Sequence, residues 1–313
     1  MTLNKETLMK YKSVIGLIVF SAIIAIINPR FLYTSNILNV LRQTSINSII
    51  AAGMTFVILT GGIDLSVGST LALSGAIAAS LIALGMNAFL VIIIAILAGA
   101  LIGAFNGVVI SKGKVQPFIA TLAAMTLVRG YTLVYTDGKP ISTGYEQNAE
   151  IFSKIGAGYF LGIPIPIYIM AAVFIIAYYI LKHTRLGRYV YALGGNEDAT
   201  KLSGINTDKI KIYVYAISGA LAALSGLIIT SRLSSAQPQA GSGYELDAIA
   251  AVVLGGTSLA GGVGSVLGTI IGALIIGILN NALNLMDVSS YYQLLAKGLV
   301  ILIAVLLDRK ENE

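Results

Sequence analysis

A single carboxylate stands in a long uncharged part of the chain. Between Gln43 and Ser111 the sequence has no Lys or Arg, and Asp64 is the only side chain there that ionises. An unpaired carboxylate facing lipid is costly, so this one predicts surroundings made of protein or water. Such a group can hydrogen-bond a polar solute, or it can accept hydrogen bonds from free backbone amides.

Glycine pairs mark two places where helices are expected to break. Gly61 and Gly62 precede Asp64, and the pairs 255–256 and 261–262 lie in a later apolar run. Glycine lets a helix stop and leaves backbone groups free, and such breaks often border the substrate path of transporters. The candidates for the lining or gate of a solute path are therefore Thr60, Gly61, Gly62, Asp64, Ser66, Thr257 and Ser258.

Asp64 also has a structural interpretation. It can cap a helix that begins at Leu65 and lie at the cytoplasmic interface, where ionisation costs little. The topology predicted from the basic residues places Asp64 in a short inner turn. That position favours the structural role, and the lining role is kept as its alternative.

Three asparagines crowd one apolar run. Asn280 and Asn284 are four residues apart and share a helical face, with Asn281 beside them. Their amides could bind a sugar, although bonding between helices is the commoner use of amides in membranes. A structural role is favoured, and Asn280 and Asn284 are kept as candidates for the path.

The sequence lacks the side chains that several kinds of chemistry require. Cysteine is absent, which excludes disulfides and thiolate sites, and the only histidine, His183, follows Lys182 at the end of an apolar run. We predict no metal site and no enzyme, because no convergent nucleophile and base are visible. The sequence also lacks a Gly-x-x-x-x-Gly-Lys-Ser/Thr loop, so the chain is not expected to hydrolyse ATP.

The composition indicates a membrane protein. Hydrophobic residues make up 57% of the chain, charged residues 11%, and the mean hydropathy is +0.88, whereas soluble domains carry about 25% charged residues. The net charge of +6 does not indicate nucleic acid, because the basic residues lie between apolar runs. We predict an all-α, polytopic membrane helical bundle in the lipid bilayer, with 1–313 as one transmembrane domain.

Ten apolar runs approach the roughly 20 residues that a helix needs to cross the hydrocarbon. They are 13–28, 46–61, 65–85, 88–111, 116–135, 164–182, 212–231, 245–262, 264–286 and 291–307. With the N-terminus inside, the inner segments 1–12, 112–115, 182–211 and 308–313 hold 13 of the 20 Lys and Arg residues, as the positive-inside rule requires. Both termini are therefore predicted cytoplasmic, and the outer loop 136–163 is either a small periplasmic cap or a simple connector.

Small residues recur at helical spacing and suggest close packing. A weak internal repeat relates 50–69 to 249–265 with a two-residue gap, and both copies would enter the membrane from the same side, as in a parallel duplication. Chance alignment is the alternative. Stripes of small residues, which let helices approach closely in lipid, are Gly99, Gly103 and Gly107, Gly264, Gly268 and Gly272, and Ser218, Ala222 and Gly226.

The most polar inner loop, 182–211, is predicted to be a cytoplasmic coupling segment. A short helix is expected over 197–202, with Asn196 as its N-cap and Gly204 as a left-handed stop. So short a helix needs another protein to dock against, although a solvated basic linker is the alternative. The candidate contact residues are Asn196, Glu197, Asp198, Ala199, Thr200, Lys201, Leu202, Ser203, Gly204 and Ile205.

Five motifs give the chain a family resemblance. They are Leu-Thr-Gly-Gly-Ile-Asp-Leu-Ser-Val-Gly-Ser at 59–69, Ala-Leu-Gly-Gly-Asn-Glu at 192–197, Ser-Gly-Ile at 203–205, Arg-Leu-Ser-Ser-Ala-Gln-Pro at 232–238 and the glycine-rich run 243–262. Over essentially its whole length the chain resembles the membrane subunits of bacterial ABC importers for monosaccharides. These motifs are specific for the family and less decisive about the sugar.

The resemblance implies partners and an energy source. It implies a second copy of the chain, an ATPase subunit with two fused nucleotide-binding domains, and a periplasmic sugar-binding protein, all at the bacterial inner membrane. ATP-Mg would be used by the ATPase, which would pull on 196–205, and this chain would bind no cofactor. Ribose is the sugar that the resemblance favours, with an autoinducer-type furanosyl compound or another pentose or hexose as alternatives.

A proton- or ion-coupled secondary transporter is the competing class. It would also be polytopic and glycine-rich, but such proteins more often carry several intramembrane carboxylates or histidines. The apolar runs of this chain offer few.

Overall fold

The computed structural model describes residues 12–312 as a helical bundle with almost no sheet, which confirms the predicted fold class. The α-helices of this part are α1 Lys12–Ile27, α2 Thr34–Leu59, α3 Val67–Ala83, α4 Ala88–Ser111, α5 Pro117–Thr136, α6 Gln147–Ala157, α7 Ile165–His183, α8 Arg185–Gly195, α9 Glu197–Leu202, α10 Thr207–Leu233, α11 Tyr244–Leu254, α12 Val266–Leu285 and α13 Ser290–Asn312. A 3-10 helix, Pro29–Leu32, links α1 to α2. Strand β1 Ile141–Ser142 pairs antiparallel with β4 Ser235–Ala236, and β2 Tyr159–Phe160 with β3 Ile163–Pro164.

Most predicted spans correspond to single helices, and one does not. Within the part of the chain that the structure describes, five helices, α4, α5, α7, α10 and α12, are long and apolar enough to cross a membrane. The apolar run 245–262 was wrongly predicted as one span, because α11 stops at Leu254 and an irregular segment follows. With 11 residues, α11 is roughly 17 Å long, well short of the hydrocarbon thickness of about 30 Å.

Helix α10 lies at the centre of the bundle, and small residues bring its neighbours close. Gly99 packs on Gly219, and Gly103 packs on the backbone of Tyr215, so closely that a methyl group at either glycine would overlap α10. Gly226 packs in the same way on the carbonyl of Leu71 in α3. Close backbone approach increases van der Waals contact where lipid removes the hydrophobic incentive for association. The predicted packing role is confirmed for these glycines, whereas Gly264 of the second predicted stripe lies before α12, which begins at Val266.

The outer faces of the bundle carry large apolar side chains. On α4 these include Leu97, Leu101 and Phe105, and on α7 they include Ile175 and Ile176, all of which are exposed. Such continuous apolar surface would be a liability in water and is the expected surface in lipid. The fold therefore presents a lipid-facing exterior around a core of small residues.

The segment 136–163 folds onto the bundle. Helix α6 buries Phe152 and Ala149 against the apolar cluster of α3 and α4, and Asn148 Nδ2 donates to the carbonyl of Gly85 across 3.0 Å. The segment is therefore a packed cap and not a simple connector. We call this end of the bundle the cap end, and the opposite end, which carries 184–206, the coupling end.

Candidate functional site

The two glycine-rich breaks lie against each other. The first break, 60–66, joins α2 to α3, and the second break, 255–265, joins α11 to α12. The amide of Gly262 donates to the carbonyl of Leu59 across 3.0 Å, and Gly61 and Gly261 pack closely with positive φ angles of 73° and 91°. Backbone groups freed in one break are thus partners for the other.

Both copies of the predicted repeat contain the end of a helix and the break that follows it, and a further helix comes after each break. Asn47 Nδ2 of α2 donates to Asp247 Oδ2 of α11 across 3.2 Å. Helix α12 runs antiparallel to both, because its Gly268 and Gly272 pack on Gly255 and Ala251 of the α11 end, and its Thr269 and Gly277 meet Thr55 and Thr44 of α2. Helices α2 and α11 therefore run in the same direction, as a parallel duplication requires.

Asp64 is buried inside the bundle and is 1% exposed. Its Oδ1 accepts hydrogen bonds from the amide and hydroxyl of Ser66 at 3.0 and 2.6 Å. Its Oδ2 accepts one from the hydroxyl of Ser218 in α10 at 2.9 Å. Asn106 Nδ2 of α4 donates in turn to Ser66 Oγ across 2.9 Å. Asp64 and Ser66, both predicted site residues, thus connect the first break to α10 and α4. The helix that follows, α3, begins at Val67, two residues later than expected.

Two further side chains donate hydrogen bonds to the backbone of the first break. The carbonyl of Ile63 accepts hydrogen bonds from Thr121 Oγ1 of α5 and from the Tyr215 hydroxyl of α10, both across 3.2 Å. A buried carbonyl outside a helix needs such partners. The break is therefore a defined structure and not a frayed helix end.

The candidates of the second break lie inside it. Thr257 is fully buried, and its hydroxyl has no hydrogen-bond partner among the residues the structure describes. The Ser258 amide donates to the carbonyl of Val263 across 2.9 Å, which closes the irregular segment on itself. At the first break, Thr60 Oγ1 donates back to the carbonyl of Val57 across 2.7 Å.

The end of α8, inside the coupling segment, lies between the two breaks. Gly194, near the end of α8, packs against the carbonyl of Leu59 and the amide of Gly262, and a methyl group there would overlap both. The hydroxyl of Tyr191 donates to the carbonyl of Gly264 across 2.9 Å. We call the segments 59–62, 191–195 and 261–264 together the junction. It was not foreseen, although Ala-Leu-Gly-Gly was among the family motifs.

The short helix of the coupling segment has the predicted ends. Asn196 Oδ1 accepts a hydrogen bond from the amide of Ala199 at 2.8 Å, and Gly204 ends the turn with φ +81°. Leu202 is 89% exposed, and most of its neighbours in 196–205 are exposed as well. An exposed apolar side chain on a short polar helix is a feature of a docking surface.

An ion pair holds the short helix α9, Glu197–Leu202, next to the first break. We call α9 the coupling helix. Lys211 Nζ of α10 donates to both carboxylate oxygens of Glu197 across 2.7 Å. Glu197 and Lys211 also line a cavity of about 190 Å³ together with Thr60, Gly61 and Gly62. Three of the path candidates are thereby brought next to a coupling residue.

A second, polar cavity of about 390 Å³ lies towards the cap end and contains the other two candidates, Asn280 and Asn284. Lys297 Nζ lies 2.9 Å from Asp247 Oδ2, and Asp247 is buried. The further polar residues of its lining are Gln43, Thr44, Asn47, Arg232, Tyr244, Asp247, Gln293 and Lys297. Sequence reasoning missed them, although a lone Lys297 inside an apolar run was the same kind of signal as Asp64.

The third asparagine has a different role. Asn281 and Asn36 exchange two side-chain hydrogen bonds, at 3.1 and 3.0 Å, between α12 and α2. This is the bonding between helices that was expected for amides in an apolar run. Asn280 and Asn284 do not take part in this pair and line the cavity instead.

Comparison with known proteins identifies the family. The family model described as "Branched-chain amino acid transport system / permease component" matches residues 36–305. The chain is 66% identical to the ribose import permease protein RbsC of Haemophilus influenzae, covering 96% of this chain and 93% of that protein. It is 60% identical to the ribose import permease protein RbsC of Escherichia coli K12, covering 99% of this chain and 96% of that protein. It is 41% identical to the D-allose transport system permease protein AlsC of Escherichia coli K12, covering 96% of this chain and 91% of that protein. No solved structure gives a significant match. The chain belongs to this family of ABC importer permeases, which are multi-pass proteins of the inner membrane.

Proposed function

We propose that this chain is the membrane subunit through which an ATP-driven importer moves D-ribose from the periplasm to the cytoplasm. The family description names amino acids, but identity over nearly the full length is higher with the ribose permeases, 66% and 60%, than with the D-allose permease, 41%. Ribose is therefore preferred to other pentoses or hexoses and to an autoinducer-type furanosyl compound.

The partners follow from this role. The proposal includes a second copy of the chain, an ATPase with two fused nucleotide-binding domains that uses ATP-Mg, and a periplasmic sugar-binding protein. The chain itself binds no cofactor and does not hydrolyse ATP. Both termini and 182–211 lie in the cytoplasm, which is supported by the concentration of Lys and Arg in these segments, and 136–163 lies in the periplasm.

One observation supports the mechanism: Gly194, three residues before the coupling helix Glu197–Leu202, is wedged between the carbonyl of Leu59 and the amide of Gly262. Any displacement of 196–205 by the ATPase would therefore reach both breaks at once. The breaks are joined by few backbone hydrogen bonds, which a small shift can exchange. We infer that the junction opens the path towards the cytoplasm when the coupling helix moves, as alternating access requires.

The test is transport by purified components. Proteoliposomes that contain the permease and its ATPase, with the binding protein outside and ATP inside, should accumulate labelled D-ribose. Omitting ATP or using a non-hydrolysable analogue should abolish accumulation, and adding a proton ionophore should leave it unchanged. Accumulation driven by an ion gradient without ATP would instead identify a secondary transporter. Faster uptake of D-allose, D-xylose or a furanosyl autoinducer with its own binding protein would reject the ribose assignment.

A further inference from the structure

The cavity near the cap end contains buried polar atoms that the protein does not satisfy. The hydroxyl of Thr44 and the side-chain carbonyls of Asn47 and Asn280 have no hydrogen-bond partner among the residues the structure describes. All three residues line this one cavity of about 390 Å³. Buried polar atoms are normally paired, because each loses its hydrogen bonds to water on burial. Their convergence therefore indicates a cavity that takes a polar ligand.

The same cavity contains an ion pair in which Asp247 is buried and Lys297 is partly exposed. Asp247 Oδ2 accepts hydrogen bonds from Lys297 Nζ at 2.9 Å and from Asn47 Nδ2 at 3.2 Å. Hydrogen bonds to charged groups are the stronger ones. Neighbouring hydroxyl groups of a sugar can donate to a carboxylate and accept from an ammonium group at the same time. The lining thus matches a ligand rich in adjacent hydroxyl groups.

We propose that this cavity is a monosaccharide-binding site of the permease itself, in which the amides and hydroxyl of its wall and the ion pair hold the sugar hydroxyl groups. The inference rests on the proposed function and adds where the sugar binds on its way through the chain. The cavity volume of about 390 Å³ lies within the range of small-molecule sites, about 300–1,000 Å³.

The position of the site connects it to the junction. Thr44 and Asn47 lie on α2, and Asp247 lies in the first turn of α11. Helices α2 and α11 are the two that run into the breaks, where Leu59 and Gly262 meet. A sugar in the cavity would therefore touch both helices that lead into the two breaks. Occupancy of the site and the state of the breaks would be coupled through these two helices.

The absence of cysteine from the chain makes a direct test possible. Asn280→Cys introduces a single thiol in the cavity wall, and Ser203→Cys introduces one in the exposed coupling segment as a matched control. Each purified variant is treated with a small methanethiosulfonate reagent, and its labelling rate is measured with D-ribose, with sucrose at equal osmolarity, or with neither. We expect D-ribose at tens of millimolar to slow labelling of Asn280→Cys at least threefold, and to leave Ser203→Cys unaffected.

Each other outcome overturns the proposal. Labelling of Asn280→Cys that ribose does not slow, or that ribose and sucrose slow equally, would exclude a monosaccharide site. No labelling at all would show that the cavity is closed to small solutes. Uptake by the unsubstituted permease is measured in parallel. If uptake needs ATP and ribose does not protect, the site is wrong and the proposed function stands, whereas an inability to move ribose rejects the function itself.

A second variant checks that the site serves transport. Asn280→Leu removes the unpaired carbonyl and keeps the size of the side chain, and it should lower ATP-driven ribose uptake about tenfold. Ser290→Ala, at the start of α13 and outside the lining, should not. Uptake by Asn280→Leu equal to that of the unsubstituted permease, with equal amounts of protein in the membrane, would contradict a sugar contact at this position.

Discussion

Lys211 of α10 holds both carboxylate oxygens of Glu197 at 2.7 Å and so fastens the coupling helix to the centre of the bundle. The same helix α10 binds Asp64 of the first break through Ser218. A route of direct contacts therefore leads from the exposed coupling segment to the break. This route does not pass through the junction, so the coupling segment reaches the first break in two ways.

The first prediction concerns that ion pair. Lys211→Met or Glu197→Gln should lower ribose uptake about tenfold while basal ATP hydrolysis by the assembled importer continues, because the ATPase would move a helix that no longer pulls on α10. The pair is partly exposed, so we expect little change in stability, at most about 1 kcal/mol. Lys209→Met, at an exposed lysine of the same helix, is the control. Normal uptake in both ion-pair variants would refute this route.

The second prediction concerns the wedge in the junction. Gly194→Ala places a methyl group on the carbonyl of Leu59 and the amide of Gly262, so it should push the two breaks apart. We expect uptake to fall more than tenfold and stability to fall by about 1–3 kcal/mol. Gly195→Ala is a matched control, because a Cβ there meets open space. Equal uptake by the two variants would show that close packing at position 194 does not matter.

The third prediction concerns the hydrogen bond between Ser218 and Asp64. Ser218→Ala leaves Asp64 Oδ2 without its 2.9 Å donor inside the bundle. Hydrogen bonds to charged groups contribute about 1.5–3 kcal/mol, so the free energy of unfolding should fall by about that amount. Thermal unfolding in detergent measures the change, with the exposed Ser203→Ala as control. An unchanged midpoint would mean that Asp64 is satisfied in another way.

The fourth prediction separates the asparagines of α12. Asn281→Leu removes one partner of the pair with Asn36 and should cost about 1–3 kcal/mol, because the other amide is left buried and unpaired. The double substitution Asn36→Leu with Asn281→Leu should recover part of that loss. Once folded, both variants should still transport ribose. Greater loss in the double variant than in the single one would argue against a pair between helices.

The fifth prediction concerns orientation. In the cysteine-free chain, Leu202→Cys and Tyr145→Cys give single exposed thiols at the coupling end and in the cap segment. A membrane-impermeant maleimide should label Tyr145→Cys in right-side-out vesicles and Leu202→Cys only in inverted ones. Labelling of Leu202→Cys from outside would reverse the topology and remove the docking role of 196–205.

Much of the local structure could be predicted from the sequence. The helix of the coupling segment, its cap at Asn196 and its stop at Gly204 depend on residues within a few positions of one another. The packing of Gly99 and Gly103 could also be foreseen, because spacing along one helix determines which residues share a face. These features depend on short-range geometry, which the order of residues specifies directly.

The functional arrangement was decided by contacts between distant parts of the chain. Asp64 and Ser218 are 154 positions apart, and Asp247 and Lys297 are 50 apart, so no local pattern relates them. The apolar run 245–262 continued past Leu254, but Gly255 packs against the backbone of Gly268 and the helix ends there. Sequence thus determined which segments are helical and apolar, whereas only tertiary packing decided which polar groups meet, because hydrogen bonds and close contacts form between whichever side chains the fold brings together.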